Sequence, residues 1–299
     1  MNNKLKGNII LFLAAMIWGL SFVSQSIGMN YIGPNTFMGI RTTMGGIVLL
    51  PFIYFSDKLK KKQGTYVKCD FKKIIKYGLI CGIFLCIAST LQTYGLKYTT
   101  TAKSGFLTAL YILFVAIFGI FFGKKLNFKM IAGILTADIG MYFLCLFGVN
   151  SSFNIGDLLT IICAIFFSGQ ILSIDKFVKE VDGVKLSCAQ FLISGTINLI
   201  LMFLIENPQI TDILSCSTAL LYSGIMSCGF AYTMQVIGQK YAEPASASIV
   251  MSFESVFAAI FGWIILSETM VFSQIAGCLL MFLAIILVQL PDKNSEEWI

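Results

Sequence analysis

The chain has no histidine and a single arginine, Arg41, in 299 residues. The missing histidine excludes H-E-x-x-H zinc chemistry and serine–histidine dyads. Charged residues make up only 12%, against roughly 25% in soluble domains. A soluble chain of this size could not cover its surface with so few, so lipid is the expected solvent. No P-loop occurs, so direct use of ATP within the chain is excluded. Nine cysteines are present, but no C-x-x-C pair. Most of them, among them Cys81, Cys163 and Cys228, lie inside apolar runs and read as small apolar residues. No disulfide framework, metal site or cofactor site is implied. Asp138 has no aspartate partner at its depth, so an aspartate-pair enzyme is not expected either. The net charge of +6 comes from lysines gathered in loops and does not suggest a nucleic-acid partner.

Hydrophobic residues make up 57% of the chain. They form continuous runs of about 20 residues, the length that crosses a bilayer as a helix, whereas barrel strands would alternate over about 10. Ten spans are predicted, at about 8–27, 34–55, 74–93, 102–122, 128–148, 156–175, 186–205, 217–236, 245–266 and 272–290. The first run, behind Lys4 and Lys6, has no small-residue cleavage site and is read as a retained span. With both termini in the cytoplasm, eighteen lysines fall at inside ends and only Lys97 and Lys103 outside. The basic loop 56–73 then serves as a topology anchor, as the positive-inside rule expects. This places the chain in a bacterial cytoplasmic membrane.

One pattern, Q-x-x-G-x-K-Y-x-x-x-A, occurs twice. It runs from Gln92 to Ala102 and from Gln235 to Ala245, with each matched pair 143 positions apart. Ala116-Ile117-Phe118-Gly119 matches Ala259-Ile260-Phe261-Gly262 at the same offset. Further matches place a five-span unit at 1–148 and another at 149–299. Five is odd, so the second unit enters the membrane from the opposite side. The expected fold is an all-α integral membrane protein of ten transmembrane helices, built as two inverted five-helix repeats. Such repeats place a substrate site near midplane between the halves.

Ala15-Met16-Ile17-Trp18-Gly19-Leu20-Ser21-Phe22 resembles the first helix of the drug/metabolite transporter superfamily, EamA type. Phe37 to Arg41, with Gly45 and Gly46, resembles its second helix. Ala245 to Glu268 is similar to its ninth. The resemblance covers about residues 7–290. It implies a carrier with a central cavity lined mainly by helices 1, 3, 4, 6, 8 and 9, moving amino acids, other small metabolites, nucleotide-linked sugars or toxic organic compounds. Two positions depart from the family pattern. Ser255 replaces a proline that would break the ninth helix, and Lys124-Lys125 replaces a G-E ending.

Ionisable groups at bilayer depth are costly and are functional candidates by default. Glu254 lies about 15 Å into its span at 1.5 Å per residue. It is the candidate for binding a proton, as coupling ion, or a cationic substrate group; the alternative is a packing hydrogen bond. Asp138 lies as deep as Glu254, and Arg41, about seven residues into its span, is read three ways: as a bidentate partner for a substrate carboxylate, as an ion-pair partner of Asp138, or as a snorkelling side chain. Gln92 and Gln235 form a repeat-related pair that suits alternating polar contacts or helix capping. Trp18 suits a cavity wall or plain packing. Tyr111, the repeat partner of Glu254, carries a hydroxyl that needs a partner in lipid. Lys103 reads as a snorkelling residue. Gly78-x-x-x-Gly82 and Gly119-x-x-x-Gly123 suit internal helix packing better than a homodimer contact, which stays open. The resulting expectation is a secondary carrier of a small molecule, with export favoured over import or facilitation. A lipid scramblase is the rival outside solute transport.

Overall fold

The computed structural model describes residues 3–66, 69–99, 101–123, 126–145, 147, 153–266 and 272–289. All regular structure among them is helical. The first half contains α1 (Asn3–Gly28), α2 (Pro34–Lys62), α3 (Phe71–Gly95), α4 (Thr101–Ala109), α5 (Tyr111–Phe121) and α6 (Phe128–Cys145). The second half contains α7 (Ile155–Phe177), α8 (Gly183–Ile205), the short α9 (Ile210–Ser215) and α10 (Ser217–Leu221), a π-helical segment (Tyr222–Tyr232), α11 (Thr233–Gln239), α12 (Pro244–Met251), α13 (Phe253–Leu266) and α14 (Phe272–Gln289).

Eight helical stretches among the described residues are long and apolar enough to cross a bilayer. One combines α4 and α5, one runs from α10 through the π segment to α11, and one combines α12 and α13. The outer faces are apolar: Phe121, Phe128, Phe203 and Phe272 are each about four-fifths exposed. Contiguous exposure on that scale needs an apolar solvent. The chain is a multi-pass membrane protein.

Two spans break near their middles, at Leu110 between α4 and α5 and at Ser252 between α12 and α13. The break at Ser252 corrects the expectation drawn from the missing proline. Serines take the proline's place. The Ser248 hydroxyl donates to the Ala245 carbonyl at 2.8 Å and the Ser252 hydroxyl to the Ile249 carbonyl at 2.8 Å. Such back-bonding competes with the helix ladder and bends it. Each break lies beside a candidate residue, Tyr111 or Glu254.

Close packing is set by small residues. A Cβ on Gly19 would stand 2.3 Å from the Cβ of Phe257, so only glycine lets α1 approach α13 this closely. Gly78 and Gly82 turn towards α8, within the chain, as their spacing suggested.

Helices α2, α3, α7 and α8 are laced at both ends. At one end the Glu206 carboxylate, just past α8, caps α2. It accepts from the Asn35 and Thr36 amides at 2.9 Å each, from Asn35 Nδ2 at 2.9 Å and from the Thr36 hydroxyl at 2.6 Å. This satisfies amides that a helix start leaves unpaired and places negative charge at the positive end of the dipole. Gly33 makes the seat, because a Cβ there would stand 2.2 Å from the carboxyl carbon. At the other end Asp57 pairs with Lys185 at 2.7 Å, and Asp182 with Lys60 at 2.8 Å. Glu180 accepts from the Tyr77 hydroxyl at 2.6 Å and from Lys73 at 3.4 Å.

Glu206→Ala removes several partners from buried amides and should cost about 1–3 kcal/mol. A thermal midpoint equal to wild type in detergent would contradict the clamp. At the opposite end, the Tyr77 hydroxyl and then Lys73 hold the Glu180 carboxyl below its usual range. Its contribution is therefore complete above the ordinary carboxylate pKa and is lost as pH falls through the depressed folded value. Hydrogen exchange around 178–182 should quicken in acid beyond the intrinsic rate change, and Glu180→Gln should abolish that extra step.

Candidate functional site

A cavity lies among the helices, with about 40 Å³ open to the centre of a water molecule. Its wall draws on both halves of the chain. From the first come Trp18, Ser21, Phe22 and Gln25 on α1, Arg41 on α2, Gln92 on α3, Thr108 on α4 and Tyr111 on α5. From the second come Phe167, Gln170 and Ile171 on α7, Ser227 and Tyr232 on the π segment, Gln235 on α11, Met251 on α12 and Glu254 on α13.

Six of the residues singled out from the sequence, Glu254, Arg41, Gln92, Gln235, Trp18 and Tyr111, line this cavity. Trp18 packs edge-on against Tyr232, with ring centroids 4.7 Å apart. Gln92 donates from Nε2 to the Thr108 hydroxyl at 3.0 Å. Its repeat partner Gln235 donates from Nε2 to Gln170 Oε1 at 3.4 Å. The chain of amides continues behind the wall, where Gln170 Nε2 donates to Gln190 Oε1 at 3.2 Å. The repeat-related pair Tyr111 and Glu254 sits within mutual electrostatic reach. The Tyr111 hydroxyl nevertheless completes no hydrogen bond of ordinary geometry. Glu254 is 7% exposed and Arg41 2%.

The proposed Arg41–Asp138 pair does not form. Arg41 is on the cavity wall, while Asp138 is on α6, which packs chiefly on α14. Both Asp138 carboxyl oxygens are buried without a hydrogen-bond partner among the described residues. The side chain of Lys103 lies outside the described residues.

The wall is rich in unpaired polar atoms. Trp18 Nε1, Ser21 Oγ, Gln25 Oε1, Arg41 Nε and Nη1, Tyr111 Oη and Gln235 Oε1 are buried and make no hydrogen bond within the protein. More than about 90% of buried polar groups in folded proteins are bonded. Seven such atoms on one wall give a polar guest several groups to bond, while twelve others lie elsewhere in the bundle. The apolar part of the wall, from Phe22, Phe167, Ile171 and Met251, suits a guest with an apolar portion. Among the described residues, no cluster of three or more Cys, Asp or Glu could hold a metal ion.

Sequence reasoning missed Ser21, Gln25, Gln170 and Tyr232. A signal was available for the first two. Trp18, Ser21 and Gln25 recur at helical spacing and form one polar stripe along α1. Gln170 and Tyr232 carry no such mark, because an isolated neutral polar residue in a span reads the same whether it faces a cavity or a neighbouring helix.

A helical membrane bundle with a polar cavity between its halves has the form of a transporter. The comparisons with known proteins agree. Residues 5–146 and 154–290 each match the EamA-like transporter family, and the chain belongs to that family. An uncharacterized transporter of Archaeoglobus fulgidus is 30% identical over 96% of this chain and 87% of its own length. The uncharacterized transporter YoaV of Bacillus subtilis is 23% identical over 89% of this chain and 90% of its own. A protein of known crystal structure shares the fold with a TM-score of 0.76, at 19% identity, over 95% of this chain and 96% of that one.

Two glutamine substitutions separate bonded from unbonded polar atoms. Gln170→Leu strands both Gln190 and Gln235 and should cost about 1–3 kcal/mol. Gln25→Leu removes an amide whose oxygen is already unpaired, so its cost should be clearly smaller. Equal losses of thermal midpoint would contradict the assignment.

Proposed function

We propose that the protein is a secondary transporter moving a small metabolite or amino acid across the cytoplasmic membrane by alternating access, in the direction of export and coupled to protons. On this reading ten spans form two inverted five-helix repeats, 1–148 and 149–299, with both termini in the cytoplasm. The lysine distribution supports that orientation. Glu254, Trp18, Gln92, Tyr111, Gln235 and Arg41 are the substrate-binding and coupling residues.

One observation carries the reading. Residues matched by the repeat, Gln92 with Gln235 and Tyr111 with Glu254, converge on a single cavity. In an inverted repeat, equivalent residues approach the midplane from opposite faces. Such a pair can exchange roles as the cavity opens first to one side and then to the other. The size of the cavity supports a closed conformation. About 40 Å³ holds on the order of three water molecules, so a metabolite enters only if helices part.

Glu254 supplies the coupling. A lone carboxyl buried at this depth is costly when charged and tolerable when neutral. It can therefore take a proton from one side and release it to the other, with the Tyr111 hydroxyl beside it. The test is flux of a labelled amino-acid and metabolite panel in proteoliposomes, with and without an imposed pH gradient. Wild type should show gradient-dependent flux. Glu254→Gln should lose the dependence while folding normally. Gradient-dependent flux retained in that variant would remove the coupling role. Lipid flipping without solute flux would favour a scramblase.

A further inference from the structure

Arg41 is the single arginine of the chain and is 2% exposed, on the cavity wall. Its Nε and Nη1 make no hydrogen bond, and no ion pair to it occurs among the described residues. The face of Phe37 lies 5.9 Å from the guanidinium carbon. That contact offsets part of the desolvation and leaves the charge uncancelled. A guanidinium, unlike Glu254, cannot shed its charge by giving up a proton.

Hydrogen-bond donors share the cavity wall with Arg41. Trp18 packs on Tyr232, and Arg41 is in electrostatic reach of the same tyrosine. The Tyr222 hydroxyl donates to the Ile17 carbonyl at 3.0 Å, tying the Trp18 turn of α1 to the π segment. One turn along α2 from Arg41, Gly45 lies against Cys228 of that segment. Indole Nε1 can only donate, and it is unpaired, as is the Ser21 hydroxyl one turn further along α1. A buried cation thus shares one cavity wall with an unpaired N–H and an unpaired O–H, and Phe22, Phe167, Ile171 and Met251 give that wall an apolar portion.

The geometry points to an organic monocarboxylate with an apolar body as the substrate class, its carboxylate held by Arg41, Trp18 Nε1 and Ser21 Oγ. This inference rests on the transporter reading and narrows its substrate. A carboxylate matches the planar fork of a guanidinium and brings the single negative charge that one arginine compensates. A phosphate dianion would need a second cation, and among the described residues no lysine lines the cavity. An amine would place like charge beside Arg41.

Binding in detergent tests this without depending on flux. The probes are benzoate and phenylacetate, each against its neutral amide and its amine analogue, at matched ionic strength. The readout is the shift in thermal midpoint. The carboxylates should raise the wild-type midpoint and the amides and amines should not. Arg41→Gln should weaken carboxylate binding at least about tenfold, and Arg41→Lys should keep part of it. Trp18→Phe, which keeps a ring and loses the N–H, should weaken it about fivefold. Without probe, Arg41→Gln should melt no lower than wild type, because the charge it removes has no protein partner to lose. Equal shifts from amides or amines, no shift from any probe, or undiminished carboxylate binding by Arg41→Gln overturns the proposal. A large loss of midpoint in unliganded Arg41→Gln does so as well, by making Arg41 structural. Carboxylate binding without flux in vesicles would leave the anion site standing and remove the transport reading. Flux of uncharged solutes unaffected by Arg41→Gln would do the reverse.

Discussion

Within a bilayer a polar group finds no water to satisfy it, so each one must be bonded by the protein or face a space where something else bonds it. That constraint sorts the polar residues of this chain into two sets. The first is internally satisfied: Glu206 on the start of α2, the paired termini of α2, α3, α7 and α8, and the serines bonded back onto their own helices. The second is left without a partner; part of it gathers around one cavity, at Trp18, Ser21, Gln25, Arg41, Tyr111 and Gln235, and part, such as Asp138, lies elsewhere. The first set holds the bundle together.

The same division separates rigid from adaptable regions. Helices α2, α3, α7 and α8 are joined by a carboxylate cap at one end and ion pairs at the other. The spans opposite carry the irregular backbone: breaks at Leu110 and Ser252 and a π-helical stretch that brings Ser227 and Tyr232 to the wall. π-helical turns gather at functional sites, where altered register aims side chains that a regular helix would turn away. Tyr111, Tyr232 and Glu254 therefore rest on the less regular spans, while Trp18 and Arg41 rest on the regular α1 and α2.

Much of this was legible in the sequence, and the limits have physical causes. Hydropathy gave helical spans because a lipid-crossing helix needs about 20 apolar residues. Depth along a span picked out Glu254 and Trp18, and the repeat offset picked out Gln92, Gln235 and Tyr111. Depth says nothing about rotation around the helix axis, however. Arg41 and Asp138 looked like partners at similar depth and occupy separate surroundings. Ser21 and Gln25 were visible as a helical stripe beside Trp18 once that residue was placed on the wall. Gln170 and Gln190 were not, since neutral amides have no charge cost to betray them. Glu206 was also hidden, because an acid at the end of a span reads as solvated until the helix it caps is known. The break at Ser252 lies among serines bonded back onto their own helix, and the absent proline gave no reason to expect it.

The central claim is that the repeat-related glutamines serve one cavity that opens to alternate faces. The most direct measurement is site-resolved labelling of Gln92→Cys and Gln235→Cys by an impermeant thiol reagent, applied from either side of sealed vesicles of known orientation, with modified peptides identified by mass. The account predicts that both positions react from either face, and that substrate shifts the rates from the two faces in opposite directions. Labelling of either position from one face alone, or of neither from any face with or without substrate, would contradict it.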